Sequence, residues 1–389
     1  MPSLVVLLLL AGSGLVTGSP EMRGLWVVRT ALISPEAVDH AVEQAHEAGF
    51  NALFVQVRGR GDAFYDSRIV GRSVLLAGKP SEFDPLRRLV DRARARGLQV
   101  HAWVNVLLSA HFGQPLPADH VLSRHPEWVM VPRTVARAAL SASPRALLSL
   151  VREGGRGDAD AEGYYLSPSA PGVPEHLEEV VREILRAYPV QGLHLDFIRY
   201  PGPDYDYARE ALEGFRRRGA TGELLAGPAS DPSAWDDYRR EVLTALAERL
   251  ARSARAERPG TVVSAAVVPD EAAAVSQKFQ AWPAWASGGI LDAVCPMTYT
   301  PDSRLFRRQV EQARALVGSG RPLWAGVGAY RLAIAGVVEK IREAREAGAS
   351  GVIVFSHESL APGDLKRLRD EAFGGGLAAE GGATSAARR

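Results

Sequence analysis

Cysteine is nearly missing from this chain: Cys295 stands alone among 389 residues. One thiol excludes an intramolecular disulfide and a cysteine-built zinc site. An excess of charge of either sign is missing too. The 46 Lys and Arg residues balance 45 Asp and Glu residues, leaving a formal net charge of +1. No global field therefore favours nucleic acid or an anionic membrane. Long hydrophobic runs are scarce. Leu4–Leu10 is apolar without a break, but a membrane span needs about 20 such residues. The exit through Val16, Thr17 and Gly18 fits cleavage of an export signal, although no Lys or Arg precedes the apolar run. Residues 1–20 are therefore expected to be a signal peptide, and the mature protein is expected to be secreted or periplasmic. No Cys follows the run to carry a lipid anchor.

Several catalytic motifs are also absent. The nine His are scattered, and no His-Glu-x-x-His occurs, so no metal site is expected. No Gly-x-Ser-x-Gly nucleophile elbow is found. Gly59-Arg60-Gly61 is too short for a phosphate loop or a dinucleotide fingerprint. With no cofactor expected, carboxylate acid–base chemistry remains. Glycoside hydrolysis needs that chemistry in the form of two carboxylates flanking a scissile bond.

What is present is an ordinary globular composition, 46% hydrophobic and 23% charged. Eight short runs rich in Val, Leu, Ile and Trp read as buried parallel strands. They are Arg23–Arg29, Ala52–Arg58, Gln99–Val106, Gly192–Ile198, Val262–Val268, Ala293–Thr298, Leu323–Gly328 and Gly351–Ser356. Helical stretches separate them, opening at Ser34-Pro35 and Asp84-Pro85 and stopping at Gly49 and Gly97, as helix-boundary physics requires. Eight strand–helix units predict an α/β fold of the (β/α)8 TIM-barrel type rather than an open doubly wound sheet. The barrel is expected over residues 21–373, followed by a disordered Gly/Ala-rich tail at 374–389. Leu107–Pro174 and Tyr200–Pro232 are long βα loops after strands 3 and 4, and Val131–Asp160 has the composition of the most mobile part.

Side chains two apart on a strand share a face. Gln56 with Arg58, then His101, Trp103 and Asn105, then His194 with Asp196, then Cys295, Met297 and Tyr299 therefore form inward sets. Polar groups pointing into a barrel must be paired or face a solvent-filled mouth. Asp196, at the end of strand 4, is the sharpest of them. The plainer reading locks it to Arg58 or Arg199 to close the mouth. Tyr299 and Trp103 read as sugar-stacking platforms or as core. His101 and His194 read as substrate-binding or as hydrogen-bonded core residues.

Five segments occur in order: Glu21-Met-Arg-Gly-Leu-Trp-Val27, Gln56-Val-Arg58, His101-Ala-Trp-Val-Asn105, Gly192-Leu-His-Leu-Asp-Phe-Ile-Arg-Tyr-Pro201 and Pro296-Met-Thr-Tyr-Thr300. Together they resemble the glycosyl hydrolase-like 10 family of bacterial barrels, over roughly residues 21 to 360. The resemblance implies an exported hydrolase of polysaccharide, with peptidoglycan glycan strands among the candidate substrates. The Val131–Asp160 insertion departs from the compact family pattern. By analogy with alpha-amylase-clan barrels, Asp196 is the nucleophile. The acid is then sought at Asp270, Glu271 or Glu358, with a helix cap as the plainer role for Asp270. Gln56, Arg58, His101, Trp103, Asn105, His194, Arg199, Tyr200 and Tyr299 are expected to bind substrate. Arg58 is expected to pair with Asp196 or to donate to substrate hydroxyls. A non-catalytic glycan-binding barrel and an envelope scaffold remain open alternatives.

Overall fold

The computed structural model describes residues 21–219 and 223–374. The expected export signal and, apart from Gly374, the expected tail lie outside the described residues. The eight barrel strands are β1 Met22–Val27, β2 Ala52–Arg58, β3 Gln99–Asn105, β4 Gly192–Asp196, β5 Val262–Val267, β6 Ala293–Pro296, β7 Trp324–Gly328 and β8 Gly351–Phe355. They pair in parallel in the order β6-β5-β4-β3-β2-β1-β8-β7. The two ends of this order meet at a bridge between Val294 and Leu323, where the Val294 N–H donates to the Pro322 carbonyl at 3.2 Å. The sheet thus closes as a (β/α)8 barrel.

Eight outer helices follow the strands: α1 Pro35–Glu47, α2 Pro85–Ala95, α3 Val173–Ala187, α4 Pro232–Glu257, α5 Trp282–Ser287, α6 Ser303–Val317, α7 Ile334–Glu346 and α8 Pro362–Arg367. Their starts are set by local chemistry. The Ser34 hydroxyl accepts from the Ala37 N–H at 3.2 Å. The Asp84 carboxylate accepts from the Arg87 N–H at 3.0 Å, and Asp302 receives the Arg304 and Leu305 N–H groups. Each satisfies a donor that a helix start leaves orphaned.

Strand alternation sorts the side chains into two cores. Leu25, Val27, Leu53, Val55, Ala102 and Val104 point outward and pack with the helices. Trp26, Phe54, Trp103, Cys295, Trp324 and Ile353 point inward and fill the lumen, so the barrel is a packed core rather than a pore. Lumen packing is tight enough to dictate residue size. A Cβ on Gly192 would lie 2.1 Å from the His101 ring.

Both long connections leave the C-terminal ends of their strands. After β3, Leu108–Ala110 pairs antiparallel with Tyr164–Tyr165, so the insertion folds back over the barrel mouth. Val131–Asp160 contains a helix, Pro144–Gly155, capped by Ser143. The loop after β4 is fastened to this insertion. The Asp206 carboxylate accepts from the N–H groups of Val131 (3.0 Å) and Ala208 (2.9 Å), and the Tyr207 N–H donates to the Val131 carbonyl. Burial raises the Asp206 carboxyl to about 6.

Candidate active site

A cavity of 340 Å³ opens at the C-terminal ends of the strands, within the size range of ligand pockets. Its aromatic wall comprises Trp26, Trp103, Tyr299 and Phe355. Tyr299 stacks on Phe355 at 5.4 Å and meets Trp26 edge-on at 6.2 Å. Its polar wall comprises Arg29, Gln56, Arg60, Asn105, Asp196 and Arg199, with Glu162 at the rim.

Asp196 is 7% exposed. One carboxylate oxygen accepts from the Phe197 N–H at 2.6 Å and from Arg199 at 3.3 Å. The other accepts from the Trp103 indole N–H at 3.1 Å. Burial raises the affinity of this carboxyl for a proton, and Arg199 offsets part of that rise. Every partner is a donor. A protonated carboxyl would need an acceptor for its own proton, and this shell supplies none, so the hydrogen bonds favour the ionised form. Phe197 adopts φ +49°, a conformation that costs a bulky residue of order 1 kcal/mol or more and is concentrated at functional sites. The Arg199 guanidinium lies 4.2 Å over its ring.

A hydrogen-bonded chain connects Asp196 to the opposite wall. The Trp103 N–H also donates to the Asn105 carbonyl oxygen at 3.0 Å. The Asn105 amide donates to the Gly59 carbonyl at 2.9 Å. Gln56 donates to Asn105 at 3.4 Å and accepts from Arg29 at 2.8 Å. Because an indole N–H can only donate, the chain fixes which end of each amide faces which neighbour.

The cavity thus brings together six of the sequence-derived residues: Gln56, Trp103, Asn105, Asp196, Arg199 and Tyr299. Others lie elsewhere. Arg58 is fully buried and donates to the carbonyls of Asn105 and Val106. It does not pair with Asp196. The β2–β3 register shifts between Gln56 and Arg58, and this bulge takes Arg58 off the face that alternation assigned to it. His194 bonds Trp26 at 3.1 Å and Ser264 at 2.9 Å inside the lumen. His101 stacks on Phe54 at 4.4 Å. Burial lowers His101 to about 4 and His194 to about 3, so both are neutral core residues. Tyr200 is fully buried and packs edge-on against Phe279.

The three candidate acids also lie outside the cavity lining. Asp270 accepts from the Ala273 N–H at 2.8 Å, capping the short helix Glu271–Gln277, and Glu271 lies exposed in its first turn. Glu358 accepts from the Thr30 hydroxyl at 2.9 Å on the surface. Strand β5 ends at Val267, and Asp270 lies beyond it as the cap of the next helix.

The second carboxylate in the cavity is Glu162, which the strand pattern could not reveal. It precedes the Tyr164–Tyr165 strand of the insertion, and Gly163 permits the approach, since a Cβ there would lie 1.9 Å from the Ala110 carbonyl oxygen. The run Glu162-Gly-Tyr-Tyr-Leu166 was the available signal: an aromatic strand opened by a carboxylate. Trp26, Arg29, Arg60, Phe197, Met297 and Phe355 also line the cavity without having been singled out for it. Among the described residues no group of three or more His, Cys, Asp or Glu is placed to hold a metal ion, and no helix is long and apolar enough to cross a membrane.

Comparison with known proteins bears on this arrangement. The sequence profile of the family described as glycosyl hydrolase-like 10 matches residues 21–321. Glycosyl hydrolase DigH of Escherichia coli K12 is 25% identical over 357 residues, spanning 81% of this chain and 74% of that protein. The PgaB (BpsB) glycoside hydrolase domain from Bordetella bronchiseptica superposes with a TM-score of 0.68 at 16% identity, over 91% of this chain and 99% of its own. Alpha-L-fucosidase isoenzyme 2 from Paenibacillus thiaminolyticus superposes with a TM-score of 0.63 at 14% identity, over 91% of this chain and 49% of its own. The chain belongs to the glycosyl hydrolase-like 10 family, and its fold is of the glycoside hydrolase type.

Proposed function

We propose that this member of the glycosyl hydrolase-like 10 family hydrolyses glycosidic bonds in a polysaccharide, with Asp196 as the essential carboxylate and Glu162 as its partner. One observation carries the reading. A buried carboxylate surrounded only by donors lies in an aromatic-walled cavity that a second carboxylate enters from the rim. Asp196 acts ionised, as nucleophile or as base toward a water. Glu162, exposed to solvent at the rim, serves as the acid for the leaving oxygen. Trp26, Trp103 and Tyr299 offer ring faces and edges to the apolar sides of sugars, as aromatic platforms do. The separation of the two carboxyl groups around a bound sugar decides the outcome: about 5–5.5 Å gives retention and about 6.5–9.5 Å gives inversion.

The reading extends to an exported enzyme acting on the glycan strands of peptidoglycan. Its support is the apolar Leu4–Leu10 segment and the family. The test is a digestion screen scored by new reducing ends, on peptidoglycan with and without peptide stems and on common plant and bacterial polysaccharides. The hydrolase reading requires turnover of at least one of these that disappears in Asp196→Asn. Retention of a glycan with no turnover by the wild type would instead establish a binding barrel.

A further inference from the structure

One wall of the cavity carries two cations that no carboxylate pairs with directly among the described residues. The Arg29 side chain lies across Gly59, so closely that a Cβ there would meet its Cδ at 2.7 Å, and Arg60 is the next residue. Both line the cavity. Arg29 donates to the neutral Gln56 amide at 2.8 Å. Arg60 uses one terminal nitrogen on His111 at 2.8 Å, and its Nε and other terminal nitrogen are buried without a partner. No ion pair among the described residues includes either guanidinium; Arg199, in contrast, is paired with Asp196. Burial and the neighbouring Arg29 weigh against the charge on Arg60 more than Glu162 and Asp62 support it. Two like charges held together on a cavity wall, neither of them in an ion pair, form a binding site for an anion.

We propose that Arg29 and Arg60 form a carboxylate-binding subsite, so that the glycan taken by this cavity is acidic and carries a carboxylate on the sugar against the β1–β2 wall. A guanidinium offers paired N–H donors that fit a carboxylate in two-point fashion. Gln56, Asn105 and Trp103 lie between this subsite and Asp196, so the anion is held away from the catalytic carboxylate.

The inference rests on the glycan-hydrolase reading, and the experiment separates the two. Binding is measured by calorimetry on Asp196→Asn protein, which retains the cavity without turnover. The probes are acidic oligosaccharides of three kinds: uronic-acid, lactyl-ether and pyruvate-ketal sugars. Each is paired with its carboxyl-amidated counterpart. The free acid of at least one series should bind about 10- to 100-fold more tightly than its amide, as charge-assisted hydrogen bonds imply. The series that does so identifies the source of the carboxylate. Adding Arg60→Gln or Arg29→Gln should remove most of that difference. Equal affinity for acid and amide in every bound series overturns the subsite, and wild-type turnover of neutral glycans alone would do so while leaving the hydrolase reading intact. Absence of any binding or turnover, acidic or neutral, overturns both.

Discussion

Replacing His101 with Leu tests whether this residue belongs to the lumen or to the mouth. His101 is 1% exposed, stacks on Phe54, and neither ring nitrogen has a hydrogen-bond partner. Burial lowers its proton affinity from the usual 6.5 to about 4. Because the folded value lies below the unfolded one, protonation favours the unfolded chain. The stabilisation is complete above pH 6.5 and is lost as the pH falls toward 4. The full loss is about 3 kcal/mol, and about 2 kcal/mol of it has gone at pH 5. Leu at this position does not titrate. Any strain it introduces beside Gly192 is the same at each pH and cancels in the comparison. The assay is urea unfolding of wild type and variant at pH 8 and pH 5. Wild type should lose about 2 kcal/mol more than the variant between those pH values. An identical pH dependence would refute the argument and return His101 to a solvated position at the mouth.

Other outcomes follow from the same geometry. Asp196→Asn keeps the shape and removes the charge, so reducing-end release should fall by about 10³-fold or more while glycan binding persists. Glu162→Gln should cost about 10²-fold or more in kcat, whereas Asp270→Asn, Glu271→Gln and Glu358→Gln should stay within about threefold of wild type; loss of activity in Glu358→Gln alone would move the acid to the end of β8. Trp103→Phe removes one donor from Asp196, which favours the protonated form. The acid limb of the kcat/KM profile should therefore move to higher pH by about one unit, and an unmoved or lowered limb would show that Asp196 does not govern it.

The fold was legible because eight apolar runs and their capping residues repeat one unit, and each cap does locally what its residue type allows. The site was legible only in part. Alternation tells which face of a strand a residue occupies, and it correctly grouped Trp103, Asn105 and Asp196. It was silent on depth until strand ends were known. His101 and His194 share those faces but sit two residues earlier, about 7 Å down the strand, inside the packed lumen. Arg58 failed for a different reason: the bulge beside it breaks the period-two rule on which its placement rested. Glu162 carried no periodic signal at all. Its position depends on the pairing of Leu108–Ala110 with Tyr164–Tyr165, a contact between segments more than 50 residues apart.

The barrel seam gives the cavity two mechanically different sides. Asp196 and Trp103 stand on β4 and β3, which are paired continuously from His101–Gly192 to Asn105–Asp196. Met297 and Tyr299 extend beyond β6, whose junction with β7 is the Val294–Leu323 bridge and the Thr298 hydroxyl donating to the Gly326 carbonyl at 2.7 Å. Amide exchange should therefore be fastest, among the strands, along that junction. On the proposed reading, the essential carboxylate stands on a continuously paired strand pair and the Tyr299 platform beside the least-paired junction of the ring. Opening of the seam would then disturb the platform before it disturbs the aim of the carboxylate.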